Sequence, residues 1–176
     1  MNTDIDLDGR IGEGWSGTKP DGSHVNVVLA RRGTPTAAAL LGTFTAPRPG
    51  HTPILVVVGE KEDQYEPVWP PTVMINKATA LEDLHQTITW GAAQLGIAQG
   101  VLDAVADGLL APTDDVVVFV TVWVDPGASQ ETAVRQANRT AVRKAIGMAV
   151  QGRDPEAART LVERRDALRS PFYGGE

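Results

Sequence analysis

The run "VVVFVTVWV" at 116–124 constrains this chain more than any other segment. Every one of its residues is β-branched or aromatic, the side chains that fit a pleated surface and lose rotamer freedom in a helix. It is far short of the ~20 apolar residues that a membrane helix needs. A short continuous apolar run of this kind reads as a buried strand. Such a strand needs neighbours for its backbone and helices to cover it. The chain is therefore expected to build a sheet covered by helices, of class α+β or α/β, in one domain.

The remaining segments supply those neighbours. "IGEGWSG" (11–17) reads as a short strand, "KPDG" (19–22) as a turn and "SHVNVVLAR" (23–31) as a second strand, so the pair predicts a hairpin. In "TPTAAALLGTF" (34–44), Thr34 is a candidate N-cap with Pro35 at the first helical position, and the small apolar residues predict tight packing on a sheet. "HTPILVVVG" (51–59) reads as a buried strand, 60–71 ("EKEDQYEPVWPP") as an irregular charged loop, and "TVMINKAT" (72–79) as a strand. Helical periodicity covers 80–110, with Gly91 expected to break or bend it into two helices. An amphipathic helix is expected over 129–150, with Ser129 or Thr132 near its N-cap, and a last helix over 154–167. Residues 1–10 are polar and acidic and are expected to form a flexible tail before a single domain at 11–176.

With 176 residues, the chain is long enough to bury a substantial core. It has no cysteine, which excludes disulfides, thiolate metal sites and cysteine nucleophiles. No basic segment followed by an apolar stretch opens the sequence, so no secretory signal is read, and a cytoplasmic location is expected. A net charge of −6 disfavours a nucleic-acid partner. Arg153, Arg159, Arg164, Arg165 and Arg169 are interleaved with acidic residues and read as a solvated helix face. No membrane partner is expected.

Chemistry-bearing residues are sparse. His24 opens a strand just after a turn, where a side chain can face a cleft, and imidazole exchanges protons near neutrality. For a lone histidine, a surface or structural role is the plainer reading, and more so for His51 and His85. No HxH, HExxH or paired His–carboxylate spacing predicts a metal site. Lys77, in "NKAT" (76–79), can hold an anion or act as a desolvated nucleophile, or it can simply reach solvent from a strand end. Gln94, in "WGAAQLG", offers a donor and an acceptor beside small residues that permit either a ligand or close helix packing. "GEGWSG" lacks the order and the lysine of a phosphate loop, and no nucleophile elbow marks a hydrolase. The residues alone define an α/β domain with a candidate small-molecule cleft.

Several spaced segments, taken together and in order, go further. "GE" (12–13), "H-x-N" (24–26), "RGTP" (32–35), "GHTPIL" (50–55), "NKAT" (76–79), "GAAQLGIAQGVLDAVADGLL" (91–110) and "RSPF" (169–172) resemble the formaldehyde-activating enzyme family across 11–172. The resemblance implies an α+β fold similar to the second domain of ribosomal protein S5, assembled as a homopentamer with sites in clefts between subunits. It implies condensation of formaldehyde with tetrahydromethanopterin, or a related reduced pterin, to the methylene-bridged pterin and water, with no metal. This is the chemistry of one-carbon metabolism and formaldehyde detoxification. The family's catalytic histidine falls on His24, and its pterin contacts fall on Asn26, Leu55, Lys77, Thr79 and Gln94. Asn26 stands where the family usually has aspartate, and the 60–71 loop is longer than the family's.

The implied chemistry suits these residue types. A pterin amine adds to the aldehyde to give a carbinolamine, whose hydroxyl leaves only when protonated, and a positioned histidine can deliver that proton. The second pterin nitrogen then closes the bridge. Aspartate at position 26 would be an acceptor-only anion for a pterin N–H, whereas asparagine keeps one acceptor and removes the charge. Two alternatives stay open on the sequence: a formaldehyde-condensing enzyme with a different amine acceptor, and a non-catalytic formaldehyde- or pterin-binding regulatory protein.

Overall fold

The computed structural model describes residues 5–61 and 63–169. A five-stranded sheet carries the architecture, in the order β1 (Arg10–Ser16), β2 (Ser23–Arg31), β7 (Val116–Val124), β6 (Thr72–Asn76) and β3 (Ile54–Leu55). β1 and β2 form the expected hairpin. β7 is the central strand, antiparallel to β2 and parallel to β6. The chain therefore crosses from β6 to β7 through helices: α2 (Asp83–Thr87), a π-helical turn (Ile88–Ala93) and α3 (Gln94–Ala106). After β7 come α4 (Glu131–Gln151) and α5 (Pro155–Glu163). This is the expected α+β class.

α3 and α4 cover one face of the sheet. Alternation along β2 points Val25, Val27 and Leu29 into that layer, where they join Val118, Val120 and Val122 of β7 and Met74 of β6. Ile97 and Val101 of α3 and Val134, Val142 and Ile146 of α4 close over them, all fully buried. Each such side chain contributes about 1.5–3 kcal/mol of burial. Helix α4 lies unusually close to the edge strand because β1 has glycine at its inward positions. A methyl group on Gly14 would overlap the carbonyl of Ala141, and one on Gly12 that of Ala145. Gly14→Ala should therefore lower stability by about 2–3 kcal/mol, or roughly 5–10 °C in a thermal melt. Gly42→Ala, where added bulk meets open space, is the control. An unchanged melt for Gly14→Ala would show that α4 is free to move off β1.

Several local expectations are corrected. The segment 51–59 is not one buried strand: Ile54 and Leu55 pair with Met74 and Val73 at the sheet edge, and Leu55 is 43% exposed. Past the buried Val56, the chain enters a separate two-stranded hairpin, β4 (Val57–Lys61) with β5 (Gln64–Pro67), where an irregular loop was expected. An apolar run reports strand formation but not whether the strand is central or at an edge. Gly91 does not break its helix; it sits in the π-helical turn, which carries the chain continuously from α2 into α3. The expected Ser129 does lie beside the N-cap of α4, which is Gln130, and Asp21 in the hairpin turn accepts the backbone N–H groups of both at 2.8 and 2.9 Å. Thr34 does cap α1 (Pro35–Leu41), with Pro35 inside it.

α1 packs less tightly than expected, burying only Ala37. It meets the second face of the sheet at one end, over Ala30, Val73, Val117 and Phe119. The segment read as a tail is anchored from Leu7 onward. Leu7 packs on the core, Gly9 N–H bonds the Leu29 carbonyl, and Asp8 accepts from the Arg31 backbone and from Thr34 and Thr36. Residues 1–4 of that tail, and all but the first residue of "RSPF" (169–172), lie outside the described residues. No helix among the described residues is long and apolar enough to cross a membrane.

Candidate active site

The side chains that alternate away from α3 and α4 meet on the second face of the sheet. Strand pairing sets Trp15 beside His24 and His24 beside Trp123, one pair-step from Glu13 beside Asn26 and Asn26 beside Thr121. Lys77 follows the Asn76–Val122 pair, and its backbone N–H bonds the Val122 carbonyl at 2.6 Å. From there it reaches across β7 toward β2. The second face thus carries a row of polar groups taken from three strands and the residue after a fourth.

These groups form one hydrogen-bonded chain. His24 Nε2 lies 2.7 Å from Glu13 Oε1, and Lys77 Nζ lies 2.8 Å from His24 Nδ1. Lys77 Nζ also donates to Asn26 Oδ1 at 2.9 Å, and Thr121 Oγ1 donates to the same oxygen at 3.4 Å. A lysine ammonium only donates, so with Lys77 charged, Nδ1 accepts and Nε2–H donates to the carboxylate; these partners assign the tautomer. The His24 side chain is 18% exposed and that of Glu13 59%. Burial lowers the Lys77 pKa to about 8, against an opposing pull from the Glu13 carboxylate. Trp15 flanks the cluster, its ring centroid 6.3 Å from His24 and 6.0 Å from a stacked Trp123, and Lys19 Nζ lies 5.8 Å over the Trp123 ring.

The structure brings together three of the six residues that the sequence nominated: His24, Asn26 and Lys77. The other three have different neighbours. Thr79 Oγ1 bonds His51 Nε2 at 2.8 Å, while His51 Nδ1 bonds the Asn76 carbonyl at 3.0 Å. Asn76 in turn donates to the carbonyls of Gly50 and Ala78, so the loops before β3 and after β6 are tied to each other. Leu55 lies on edge strand β3, across from Val73. Gln94, buried at the start of α3, gives its amide to the Val57 carbonyl at 2.6 Å. His51 and His85 have structural roles, the latter bonding the Val124 carbonyl from a buried position.

Glu13 was missed as a site residue, although it lay within a segment singled out from the sequence. Alternation puts it on one face of its strand, but only the hairpin register sets it opposite Asn26 and within reach of His24. Among the described residues, no group of three or more His, Cys, Asp or Glu is placed to hold a metal ion.

A histidine joined on one side to a carboxylate and on the other to an amine of lowered pKa is an acid–base site of the kind enzymes use. The chain belongs to the formaldehyde-activating enzyme (Fae) family, whose model matches residues 11–173. It is 33% identical over 168 residues to a Methanosarcina barkeri protein named 5,6,7,8-tetrahydromethanopterin hydro-lyase, covering 94% of this chain and 91% of that one. It is 30% identical to the bifunctional enzyme Fae/Hps of Archaeoglobus fulgidus, where the match covers 94% of this chain and 41% of the relative. A second bifunctional Fae/Hps, from Methanothrix thermoacetophila, is 28% identical over 40% of its length.

Proposed function

We propose that this protein condenses formaldehyde with tetrahydromethanopterin, releasing water and the methylene-bridged pterin, a reading supported by its family and by a relative named a tetrahydromethanopterin hydro-lyase. The observation that carries this reading is His24 held between Glu13 and Lys77 on the second face of the sheet, inside a chain that belongs to the formaldehyde-activating family. The pterin amine attacks the aldehyde carbon, and the carbinolamine oxygen needs a proton before it can leave. Lys77, 2.8 Å from Nδ1, passes a proton to His24, which delivers it to that oxygen. Glu13 steadies the imidazolium that forms meanwhile. Trp15 and Trp123 offer flat apolar surface beside the reacting atoms.

In this reading Leu55, Thr79 and Gln94 contact the pterin together with Asn26 and Lys77. The protein assembles as a homopentamer of S5-like domains with the site in a cleft between subunits. It works in the cytoplasm without a metal, in one-carbon metabolism and formaldehyde detoxification. One observation favours a second reading, a different amine acceptor: position 26 carries an amide where the family resemblance implies an aspartate to meet a pterin N–H. The test is the rate of condensation above the spontaneous background with purified tetrahydromethanopterin and with other reduced pterins. Acceleration with tetrahydromethanopterin is expected. Acceleration only with another amine supports the second reading, and none with any acceptor overturns both. Light scattering should return a pentamer, and a monomer at micromolar concentration would remove the intersubunit site.

A further inference from the structure

We propose that Lys77 is itself a covalent acceptor for formaldehyde, with His24 as its base and Glu13 as the group that orients that base. The inference rests on the reading of formaldehyde as the substrate and deepens it: the carbon passes through the protein before it reaches the acceptor amine.

The geometry has the parts that an activated nucleophile requires. The nucleophile and its base lie within hydrogen-bond reach, Nζ to Nδ1 at 2.8 Å, and the far side of the base is fixed by a third group, Nε2 to Glu13 at 2.7 Å. The groups that face Nζ are Glu13 from β1, His24 and Asn26 from β2, and Thr121 from β7 through Asn26. Among the described residues its direct partners are the imidazole Nδ1 and the Asn26 amide oxygen, and no carboxylate there hydrogen-bonds the amine. Lys144, by contrast, donates to the Trp15 carbonyl, and Lys19 Nζ lies over the Trp123 ring. With its pKa at about 8, roughly a tenth of Lys77 is the neutral amine at pH 7, about 200-fold more than for an ordinary lysine.

The step balances without an oxidant or a metal. The Nζ lone pair forms a bond to the aldehyde carbon and the carbonyl π pair moves to oxygen. Nζ gives a proton to His24 Nδ1, and the alkoxide oxygen takes one from solvent, leaving Lys–NH–CH2OH beside a protonated His24. His24 then returns its proton to that hydroxyl, the C–O bond breaks as water leaves, and the nitrogen lone pair closes the methylene iminium. An incoming secondary amine adds its lone pair to the iminium carbon, and its N–H proton passes through His24 to Nζ. The C–Nζ bond then breaks as the acceptor nitrogen's lone pair forms the new iminium, which frees Lys77 as its amine.

The test traps the iminium. The intact protein is treated at pH 7 with limiting formaldehyde and cyanoborohydride, which reduces an iminium to an N-methyl group, and the lysines are then mapped by peptide mass spectrometry. Lys77 should be methylated at least about 30-fold faster than Lys19, Lys61 and Lys144, allowing for the lower intrinsic nucleophilicity of a less basic amine. Lys77→Arg, which keeps the positive charge but cannot form the iminium, should lose acceleration of condensation while melting normally. Methylation of Lys77 no faster than that of the other lysines overturns the proposal, as does a Lys77→Arg protein of wild-type rate. Condensation is measured in parallel. An enzyme that accelerates it without preferential labelling keeps the proposed function and loses the covalent step. Rapid labelling without condensation of any pterin keeps the covalent step and loses the pterin.

Discussion

Replacing His24 with alanine should slow condensation by about 100- to 10,000-fold, the range typical of a positioned general acid or base. Among the described residues, His24 alone is hydrogen-bonded to both Glu13 and Lys77, so its loss removes the proton relay that passes through the imidazole. Stability should change little. The ring sits on the second face of the sheet, outside the buried layer under α3 and α4, and its removal lets Lys77 and Glu13 face each other rather than leaving a buried charge alone. The thermal melt is therefore expected within a few degrees of wild type. Equal rates for the variant and the wild type with every active acceptor would make His24 structural and dismiss the mechanism.

Asn26→Asp should change the charge state of Lys77 more than that of any other group. The residue-26 oxygen already touches Nζ at 2.9 Å, and a carboxylate there would favour the ammonium and raise the lysine pKa by about 1–3 units. At pH 7 the neutral amine would fall by roughly 10- to 1,000-fold, and reductive methylation of Lys77 should fall with it and recover as pH rises. Condensation at pH 7 should fall with it, since the covalent step needs the neutral amine, and should likewise recover as pH rises. Stability moves in step. In wild type the folded-state pKa, about 8, lies below the ordinary 10.5, so the unfolded chain binds more protons between those values and stability rises with pH across that window. In the variant the two pKa values converge and the rise flattens. Titration of Lys77 by NMR in both forms, with melts at pH 7 and pH 10, checks both parts. An unmoved lysine would show that residue 26 does not govern it. A variant that condenses faster at pH 7 would count against the covalent step.

The resemblance makes position 26 a pterin contact, and residues two apart on a strand share a face, which puts Asn26 on the side of His24. That sharing is real. What it could not show is that Lys77, separated by 51 residues, would reach across β7 and take the amide oxygen first. The same limit hid Glu13. Its alternation was legible and its segment had been noted, yet only the offset of the hairpin set it beside His24.

Local chemistry determined much of the rest. β-Branched runs fixed β2, β6 and β7, since such side chains fit a pleat wherever the strand ends up. Thr34 followed by Pro35 fixed the start of α1, because a cap acts on N–H groups within its own turn. The order of spaced segments fixed the family. What only the tertiary structure decided is non-local: that β7 inserts between β2 and β6, that α4 closes onto the glycines of β1 and leaves the other face to His24, and that 51–59 splits between a sheet edge and a separate hairpin. Periodicity reports which face a residue takes within its own element. The neighbour across that face, and with it the burial that brings Lys77 to about 8, is set by strand order, which depends on the packing of the whole chain.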